Sequence, residues 1–464
     1  MKLLNRVCYL APVLLMACAS GSFSNSSGND GFKMRSYQEE TLPNGLKILY
    51  VQDHTLPKVR ITSMVRMGGW HDPEGIEGVS ALTSRLLEDG TTTMSGPQLA
   101  EELAFLGADY SSSTDQEKTS LSISSLASNK EKTLNLFAQM MMSPSFSDRE
   151  VQRRKSQVMA GLAKLTENPN GYADILLDET IFGTHPYGRL VSGNLKSVPK
   201  IDRSDVTRQY FKFFRPSSTW IAISGDFDET FKNKVKGIFA AWANSPVPGD
   251  PVLPITTTPT KALRLVSKTG LQQSQIRMGG LGIKRQDPDF LKLRLASLIL
   301  GGAFESRLNM KIRDELGLTY SISSKFEAMK DSGIFEISTF SRNEKVAEVI
   351  KQTRLVLADF VKNGVTSKEL DAAKTLLISQ FPASIETPGE TSSSLLRLRY
   401  YQIPDSYLQN YIQNVSAISL NEVNQAIRQH FKPDELKTVV FADQAQVGEV
   451  LKALGPVAIE TVTK

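Results

Sequence analysis

Cysteine and histidine are scarce in this sequence. The chain of 464 residues contains 2 cysteines and 4 histidines. Both cysteines, Cys8 and Cys18, lie at the N-terminus, so the rest of the chain offers no thiol for a disulfide. No two histidines have the spacing that would place them on one face of a helix, which argues against a histidine pair as metal ligands.

An excess of charge of one sign is also missing. There are 54 Lys and Arg residues against 49 Asp and Glu residues, giving a net charge of +5. The basic residues are scattered and do not form the blocks that bind phosphate backbones. The composition therefore argues against a nucleic-acid partner. Its hydrophobic content of 40% is that of a globular protein with material for more than one core.

The N-terminus has the pattern of a secretory signal. Lys2 and Arg6 precede an apolar run, residues 7–17, that is too short to remain as a membrane-spanning helix. The run ends in LMAC, which is similar to the lipobox of bacterial lipoproteins. We predict a signal peptide at 1–17, lipid on Cys18 and a flexible tether at 18–32. An ordinary signal peptide with a chance cysteine is the alternative.

The residue after the predicted lipidated cysteine predicts in which membrane the protein is anchored. Ala19, the residue after the lipidated cysteine, is not aspartate. By resemblance to enterobacterial lipoproteins, this favours the outer membrane, with the folded protein facing the periplasm. The mature chain is therefore expected to meet the membrane only through the lipid.

Strand and helix patterns alternate from about residue 33 onward. The segments LKILYV (46–51) and VRITSMV (59–65) read as strands. The predicted helices are Val79–Glu88, Pro97–Leu106, Lys130–Met142 and Arg149–Thr166. Runs of both types in one segment predict an α+β fold. We expect each domain to be an antiparallel-rich sheet with helices packed on one side.

The sequence also repeats itself. SDREVQRRK (147–155) recurs as TSKELDAAK (366–374), an offset of 219 positions, and IDRSDVTRQYFKFFRP (201–216) recurs as ISLNEVNQAIRQHFKP (418–433), an offset of 217. Two unrelated segments with nearly one offset indicate a duplication. A Pro-rich stretch separates the copies. We predict homologous domains at 33–244 and 261–464, joined by a linker at 245–260.

Three segments carry a family resemblance. They are GVSALTSRLLEDGT (78–91), FGTHPYGRLVSG (182–193) and GGAFESRLNMKIRDELGLTYS (301–321). With the duplication, they resemble the pitrilysin/insulinase-like zinc metallopeptidases, in particular the short-chain branch that includes the mitochondrial processing peptidase subunits. The resemblance covers nearly all of the chain after the tether.

The resemblance implies a zinc site that this chain has lost. Active members carry H-x-x-E-H on the first helix, where residues i and i+4 share a face and can bind one Zn²⁺. Those positions are Ala81, Ser84 and Arg85 here, and the family's later glutamate ligand falls on Gly161. A methyl group, a hydroxyl, a guanidinium and a missing side chain cannot bind the ion. We predict no metal and no cofactor in this chain.

Other candidate ligands near these positions have plainer interpretations. His71, in GWHDPEG, is predicted to be a solvated turn residue, with a ligand role as the alternative. His185 is expected to have a structural role in a Pro-fixed turn. Glu88 and Asp89 end the first helix and are expected to be solvated charges.

The second domain keeps a pair of residues that the family uses to hold substrate. The resemblance places an Arg and a Tyr, seven residues apart, at Arg313 and Tyr320. A guanidinium and a phenol can each donate to a peptide carbonyl and to the oxyanion that forms on attack. In the alternative, Arg313 pairs with a nearby carboxylate and Tyr320 merely packs.

These observations predict a non-catalytic, substrate-binding subunit. Short-chain members of the family work as dimers, and in several pairs one subunit carries zinc while the other carries the Arg and Tyr. The partner is therefore expected to be a homologous, zinc-binding peptidase subunit, and the substrate a peptide. One alternative is an inactive scaffold or peptide-binding lipoprotein with no peptidase partner. Another is a metal-free enzyme, for which Ser84 has no histidine close in sequence.

Overall fold

The computed structural model describes residues 34–251, 253–255 and 263–462. The predicted signal peptide, the lipidation at Cys18 and the tether lie outside these residues. The strands are β1 (Gln38–Thr41), β2 (Lys47–Gln52), β3 (Lys58–Val65), β4 (Asp109–Thr114), β5 (Thr119–Leu126), β6 (Thr219–Gly225), β7 (Leu263–Ser267), β8 (Gln273–Leu281), β9 (Ile322–Ala328), β10 (Gly333–Arg342), β11 (Lys437–Ala442) and β12 (Val457–Thr461).

The α-helices follow the same division into two halves. Those of the first half are α1 (Val79–Leu86), α2 (Gly96–Phe105), α3 (Lys130–Met142), α4 (Asp148–Ala163), α5 (Pro169–Phe182), α6 (Arg203–Phe213) and α7 (Glu229–Ala240). Those of the second half are α8 (Phe290–Ser297), α9 (Val346–Asn363), α10 (Ser367–Gln380), α11 (Pro388–Tyr400), α12 (Ser406–Gln409), α13 (Tyr411–Ala417), α14 (Leu420–His430) and α15 (Gln444–Lys452). Among the described residues, no helix combines the length and the apolar character needed to span a bilayer.

The two sheets have the same internal topology. Their strand orders are β1-β2-β6-β3-β5-β4 and β12-β7-β11-β8-β10-β9. Without the edge strands β1 and β12, the two orders are identical when strands are matched by their place in each half. In both sheets one internal pair is parallel, β2 with β6 and β7 with β11, and the following strand, β3 or β8, is antiparallel to it. The edge strands differ, since β1 is antiparallel to β2 and β12 is parallel to β7. The predicted α+β fold with two homologous domains is confirmed.

Local patterns locate six elements of the first half, namely β2, β3 and α1 to α4. The strands predicted at 46–51 and 59–65 are β2 and β3, and α3 spans the predicted Lys130–Met142. Helix α4 ends at Ala163, three residues before the predicted end, and a 3₁₀ turn follows at Leu165–Glu167. Asn168 and Pro169, which begin α5, prevent α4 from continuing. The described residues of the predicted linker, 245–251 and 253–255, form neither helix nor strand.

Strands β2 and β3 are covered on both faces. Residues 48–51 and 61–65 are all buried. Because successive side chains of a strand point to opposite faces, such a run needs cover on both sides. On one face lies an apolar core that includes Leu82 of α1 and Phe137 of α3. The opposite face is covered by a helix from the other half of the chain.

The two halves exchange a helix. Helix α11 of the second half contacts β2, β3 and β6 of the first sheet, while α5 of the first half contacts β8 and β11 of the second sheet. Their first residues, Pro169 and Pro388, are 219 positions apart, the offset of the repeat. Each sheet is therefore completed by a helix from the other half, and neither half buries its own sheet alone.

A buried carboxylate also joins the halves. Glu117, in the turn between β4 and β5, accepts hydrogen bonds from the hydroxyl of Tyr187 and from the backbone N–H of Lys330 at 2.6 Å. The hydroxyl of Tyr401 donates to its second oxygen at 3.0 Å, and that of Tyr400 donates to its carbonyl at 3.2 Å. Burial raises the pKa of Glu117, and the donors partly oppose this. The halves thus share polar contacts as well as an apolar core.

Candidate functional site

Helix α1 carries three of the four predicted zinc-site positions, and its N-terminus is fixed by Asp72 and Gly78. Gly78 has a φ of 102°, and a Cβ there would lie 2.7 Å from the carbonyl oxygen of Ser192, so only glycine fits. The carboxyl of Asp72 accepts the backbone N–H groups of Gly78 at 2.7 Å and of Ser80 at 3.0 Å. Burial raises the pKa of Asp72 to about 7, against the effect of these donors.

Charged residues fix the other end of α1. Asp89 is buried and forms ion pairs with Arg153 and Arg154 of α4. Glu88 pairs with Arg154 at 2.6 Å. The prediction that both acidic residues are solvated charges is wrong for Asp89, because two guanidinium groups distant in sequence cover it. The frame of the helix is therefore intact at both ends.

A pocket opens at the middle of this helix. Ala81, Ser84 and Arg85 line a volume of about 380 Å³ together with β4, α5 and residues 188–192. Ala81 and Ser84 are buried, whereas Arg85 is exposed. The structure therefore brings three of the four predicted positions together on one wall of a cavity.

The hydroxyl of Ser84 belongs to a chain of hydroxyl groups. It lies 2.7 Å from that of Thr114, which lies 2.9 Å from that of Thr119. The hydroxyl of Thr119 donates to the carbonyl of Met67 at 2.8 Å. The hydroxyl of Ser84 also donates to the carbonyl of Ala81 at 3.0 Å, and none of the groups that contact it is a base that would receive its proton. This arrangement does not activate Ser84 as a nucleophile.

Gly161, the fourth position, lies on α4, a helix that contacts α1. It is exposed, near the C-terminal end of α4, and it does not line the pocket at α1. A Cβ at this position would meet no atom within 4 Å. The ligand is therefore absent because the residue is glycine, since the structure leaves space for a larger side chain here.

The residues at the four positions do not fit a zinc ion. Protein zinc sites use imidazole, thiolate and carboxylate groups. Here Ala81 and Gly161 offer no donor atom, the hydroxyl of Ser84 is engaged with Thr114, and Arg85 carries positive charge. Zinc-dependent hydrolysis by this set of residues is excluded on the chemistry of the side chains.

His71 is buried, contrary to the prediction of a solvated turn residue. Its Nδ1 accepts the backbone N–H of Gly68 at 3.1 Å, and its ring lies 4.6 Å from that of Phe213. Its Nε2 is 3.5 Å from a carboxylate oxygen of Asp250. Burial lowers the pKa of His71, although Asp250 opposes this. A 3₁₀ turn at Gly69–His71 directs the ring into the core. The local sequence did not indicate this burial, because the residue that packs on the ring, Phe213, is distant in the chain.

His185 has the structural role predicted for it. It precedes the 3₁₀ turn Pro186–Gly188, and its Nδ1 accepts the backbone N–H of Tyr187 at 3.2 Å. None of the chain's four histidines lines the pocket at α1. The pocket therefore has no imidazole available as ligand or base.

A cluster of possible metal ligands lies elsewhere, at the beginning of α8. Asp287, Asp289 and His430 each offer an atom within 4.8 Å of the others. Protein contacts already satisfy this group. His430 lies 2.9 Å from one oxygen of Asp289, and Lys292 donates to the other at 2.7 Å. The sequence did not suggest this cluster, because His430 lies 141 positions from Asp289 in the chain.

Arg313 and Tyr320 present polar groups on the surface of the second half. The Nε of Arg313 donates to Asp314 at 2.8 Å, and its guanidinium lies 4.2 Å from the ring centre of Phe304. Tyr320 is 84% exposed. Among the described residues, no side-chain hydrogen bond occupies the two Nη atoms or the phenol. Arg313 therefore does pair with a carboxylate, but through one nitrogen only, and Tyr320 does not pack.

The second half does not add these two residues to the pocket at α1. Neither Arg313 nor Tyr320 lines that pocket or the wider neighbouring one of about 1120 Å³, which shares Ile175 and residues 188–190 with it. The wider pocket runs along α5 to Lys268 of the second half. Within one chain, the two sets of predicted residues are separate.

Family models match most of the folded chain. Residues 47–194 match the model described as "Insulinase (Peptidase family M16)", and residues 200–377 match that described as "Peptidase M16 inactive domain". The chain belongs to the insulinase family. Within this family it is a homologue that lacks the zinc-binding residues and the activity they would support.

Named relatives align with most of the chain. A *Bacillus subtilis* protein named "Uncharacterized zinc protease YmxG" is 24% identical, over 85% of this chain and 95% of the relative. A *Helicobacter pylori* protein named "Non-peptidase homolog YmxG" is also 24% identical, over 86% of this chain and 92% of the relative. The names of these relatives thus differ on activity.

Solved structures agree on the fold. A *Pseudomonas fluorescens* structure of a peptidase M16 inactive domain superposes with a TM-score of 0.81 at 28% identity, covering 88% of this chain and 98% of that chain. The periplasmic protease PqqL of *Escherichia coli* superposes with a TM-score of 0.75 at 16% identity, covering 94% of this chain and 49% of that chain. One PqqL chain is therefore about twice as long as the match.

Proposed function

We propose that this chain is the non-catalytic, substrate-binding subunit of a heterodimeric zinc metallopeptidase that cleaves peptides in the bacterial periplasm. In this proposal Arg313 and Tyr320 complete the active site of a zinc-bearing, homologous partner. One observation carries the proposal. The chain displays two donor-bearing side chains at the surface, while the positions for zinc offer no ligand.

The exposure of this pair favours contact with another molecule. A phenol that is 84% exposed contributes little to the stability of the fold. Asp314 and Phe304 nevertheless hold the guanidinium of Arg313 in one orientation. A guanidinium so held, with its Nη atoms free, is prepared to donate to a carbonyl or an oxyanion.

The length of PqqL supports the pairing. That protease is about twice as long as the part that this chain matches, since this chain covers 49% of it. A chain of half that length reaches the same size by association with a second chain. A homologous partner with intact zinc ligands would supply the residues that this one lacks.

An edge strand next to the pocket at α1 suits a peptide ligand. β4 lies at the end of the first sheet, and its residues Ser112, Ser113 and Thr114 line the pocket. Edge strands offer unpaired backbone groups, and extended peptides bind by adding a strand to them. A peptide beside β4 would also reach the wider pocket along α5.

The zinc content of the purified chain tests the proposal that this subunit is non-catalytic. Purified alone, it should contain far less than one zinc per chain and should show no chelator-sensitive peptide hydrolysis, because its four positions offer no ligands. Mixed with a zinc-bearing homologue of similar length, it should form a heterodimer that cleaves peptides. Elemental analysis, gel filtration and a peptidase assay measure these outcomes.

A control variant distinguishes zinc bound by the cluster of Asp287, Asp289 and His430 from zinc bound at the predicted positions. Zinc that disappears in His430→Gln would belong to Asp287, Asp289 and His430 and would leave the proposal intact. Stoichiometric zinc that persists in this variant, with hydrolysis by the chain alone, would overturn it. Assembly without hydrolysis would favour the inactive scaffold or peptide-binding lipoprotein.

The proposed location depends on the lipid at Cys18. Replacing this residue in Cys18→Ser should move the protein from the membrane fraction to the soluble periplasmic fraction. Acyl chains contribute about 0.8 kcal/mol per buried methylene to membrane binding. Cys8→Ser, a cysteine change within the predicted signal peptide, is the matched control and should stay anchored. Retention of Cys18→Ser on membranes after a high-salt wash would contradict the assignment.

A further inference from the structure

A third pocket lies in the second half of the chain and is lined by three arginines. It has a volume of about 340 Å³ and is bounded by α8, α10, α11, α12 and α13. Arg285, Arg294 and Arg397 contribute to its walls, and among the described residues no aspartate or glutamate does. We call it the arginine pocket. Its lining carries positive charge without a compensating carboxylate.

Arg285 is held by aromatic rings. Its guanidinium lies 3.8 Å from the ring centre of Phe290 and 4.8 Å from that of Tyr407. Stacking of this kind leaves the in-plane N–H groups free to donate. Within the described part of the chain, Arg285 forms no ion pair.

The other two arginines have only neutral partners. Arg294 donates to the hydroxyl of Tyr411 at 3.3 Å, and Arg397 donates to that of Ser394 at 3.0 Å. Each guanidinium has five N–H donors, so most of them are unused. Arg285 and Arg294 are partly buried, and partly buried arginines are normally paired with an anion. Together with the exposed Arg397 they surround one cavity without such a partner, which indicates a site for a negatively charged ligand.

Apart from Gln380, Ser384 and Ser394, the remaining walls are apolar and aromatic. Leu377, Phe381, Leu398, Ile403 and Leu408 line the pocket with the tyrosines at 401, 407 and 411. An inorganic anion would leave this surface in contact with water. A ligand that combines an anionic group with an apolar or aromatic body would cover it.

The duplication explains the origin of this pocket. At the repeat offset of 219, its residues Ser394 and Arg397 on α11 correspond to Ile175 and Asp178 on α5. Both of the latter line the pocket at α1 in the first half. At this position the second half therefore has a guanidinium where the first half has a carboxylate.

We infer that the arginine pocket binds a small organic carboxylate with an apolar or aromatic group. The carboxylate would accept hydrogen bonds from the arginines, and the apolar group would pack on the aromatic wall. Two sources share this chemistry, the free carboxyl terminus of a short peptide and a free aromatic acid. The inference does not depend on the proposed pairing with a zinc subunit.

Calorimetry on the full-length chain tests the site with four probes. These are N-acetyl-Leu-Phe with a free carboxyl group, the same peptide as its C-terminal amide, 3-phenylpropionate and inorganic phosphate. We expect the free peptide acid to bind at least about 10-fold more tightly than the amide, since the amide loses hydrogen bonds to charged groups. Binding of 3-phenylpropionate as tightly as the peptide acid would assign the site to free aromatic acids, and weaker binding would assign it to peptide termini.

Variants locate the binding. Arg397→Gln and Arg285→Gln should each weaken binding of the peptide acid by about 10- to 100-fold, the loss expected for one charge-assisted contact. Arg397 is exposed, so its replacement should not disturb folding. Arg428→Gln, an exposed arginine on α14 outside the pocket, is the matched control and should bind normally.

Three results would overturn the inference. The first is equal affinity for the acid and the amide, and the second is unchanged affinity in both pocket variants. The third is binding of phosphate as tightly as the organic acids, which would leave no role for the aromatic wall. Thermal unfolding of each variant distinguishes lost binding from lost structure.

Discussion

Arg313→Ala and Tyr320→Phe are each expected to slow peptide cleavage by the assembled pair roughly 100- to 1,000-fold in turnover, without preventing assembly. Removing one donor to a developing oxyanion typically costs about 2.7 to 4 kcal/mol of transition-state stabilisation. A contact made equally in the ground state would raise KM and leave kcat unchanged. Steady-state kinetics on the reconstituted pair, with gel filtration to confirm assembly, measures the difference.

The structure explains why these variants should fold. Tyr320→Phe removes a hydroxyl from a side chain that is 84% exposed. Arg313→Ala removes one bond to Asp314 and a stacking contact with Phe304, which is itself 70% exposed. Neither change opens a cavity in a core, so the stability of the chain should change little.

Substitutions on helix α1 serve as controls. Arg85→Gln and Ser84→Ala alter the emptied zinc positions, and both should change turnover far less than the variants of the second half. If Arg313→Ala and Tyr320→Phe instead leave kinetics unchanged, the two residues have no part in catalysis. The inactive scaffold would then be the better interpretation.

Features encoded by neighbouring residues could be predicted from the sequence. Hydrophobic periodicity located β2, β3 and α3, because alternation and helical spacing are local properties. The repeated segments predicted two homologous domains, which the shared strand order confirms. The grouping of Ala81, Ser84 and Arg85 on one wall followed from helical spacing.

Features that depend on distant residues could not be predicted in this way. His71 is buried by Phe213 of α6, and Asp89 is buried by two arginines of α4. The local sequences of α5 and α11 do not indicate which sheet each helix covers. The exchange of these helices exists only once the two halves are assembled, and the arginine pocket exists only once distant helices of the second half have packed together.

The exchange gives one buried arginine an unusually large role in stability. Arg277 on β8 is fully buried. Its Nε donates to Asp174 at 2.5 Å, and an Nη donates to the side chain of Asn170 at 2.7 Å. Both partners belong to α5, the helix contributed by the first half. Arg277 also lies 3.4 Å from a carboxylate oxygen of the buried Glu336.

Arg277→Met should lower the free energy of unfolding by about 3 to 5 kcal/mol. Methionine fills much of the same volume, but the change leaves Asp174 and the backbone of α5 without this donor and leaves Glu336 paired with Lys325 alone. Breaking a buried ion pair typically has this cost. Chemical denaturation measures the loss. Arg342→Met, on β10 of the same sheet and paired at the surface with Glu344, is the matched control and should stay within about 0.5 kcal/mol.

The loss in Arg277→Met should also depend on pH. Burial raises the pKa of Glu336, while Lys325 and Arg277 lower it. A carboxyl with a raised folded-state pKa binds its proton more tightly in the folded chain, so its contribution to stability falls as pH rises through that pKa. Without Arg277 the pKa of Glu336 should rise further. The variant should therefore lose more stability at pH 8 than at pH 5, because a larger fraction of Glu336 carries its proton at the lower pH, where the loss of Arg277 then matters less. An equal loss at both pH values would show that Arg277 acts through packing and its bonds to α5 instead of through its charge.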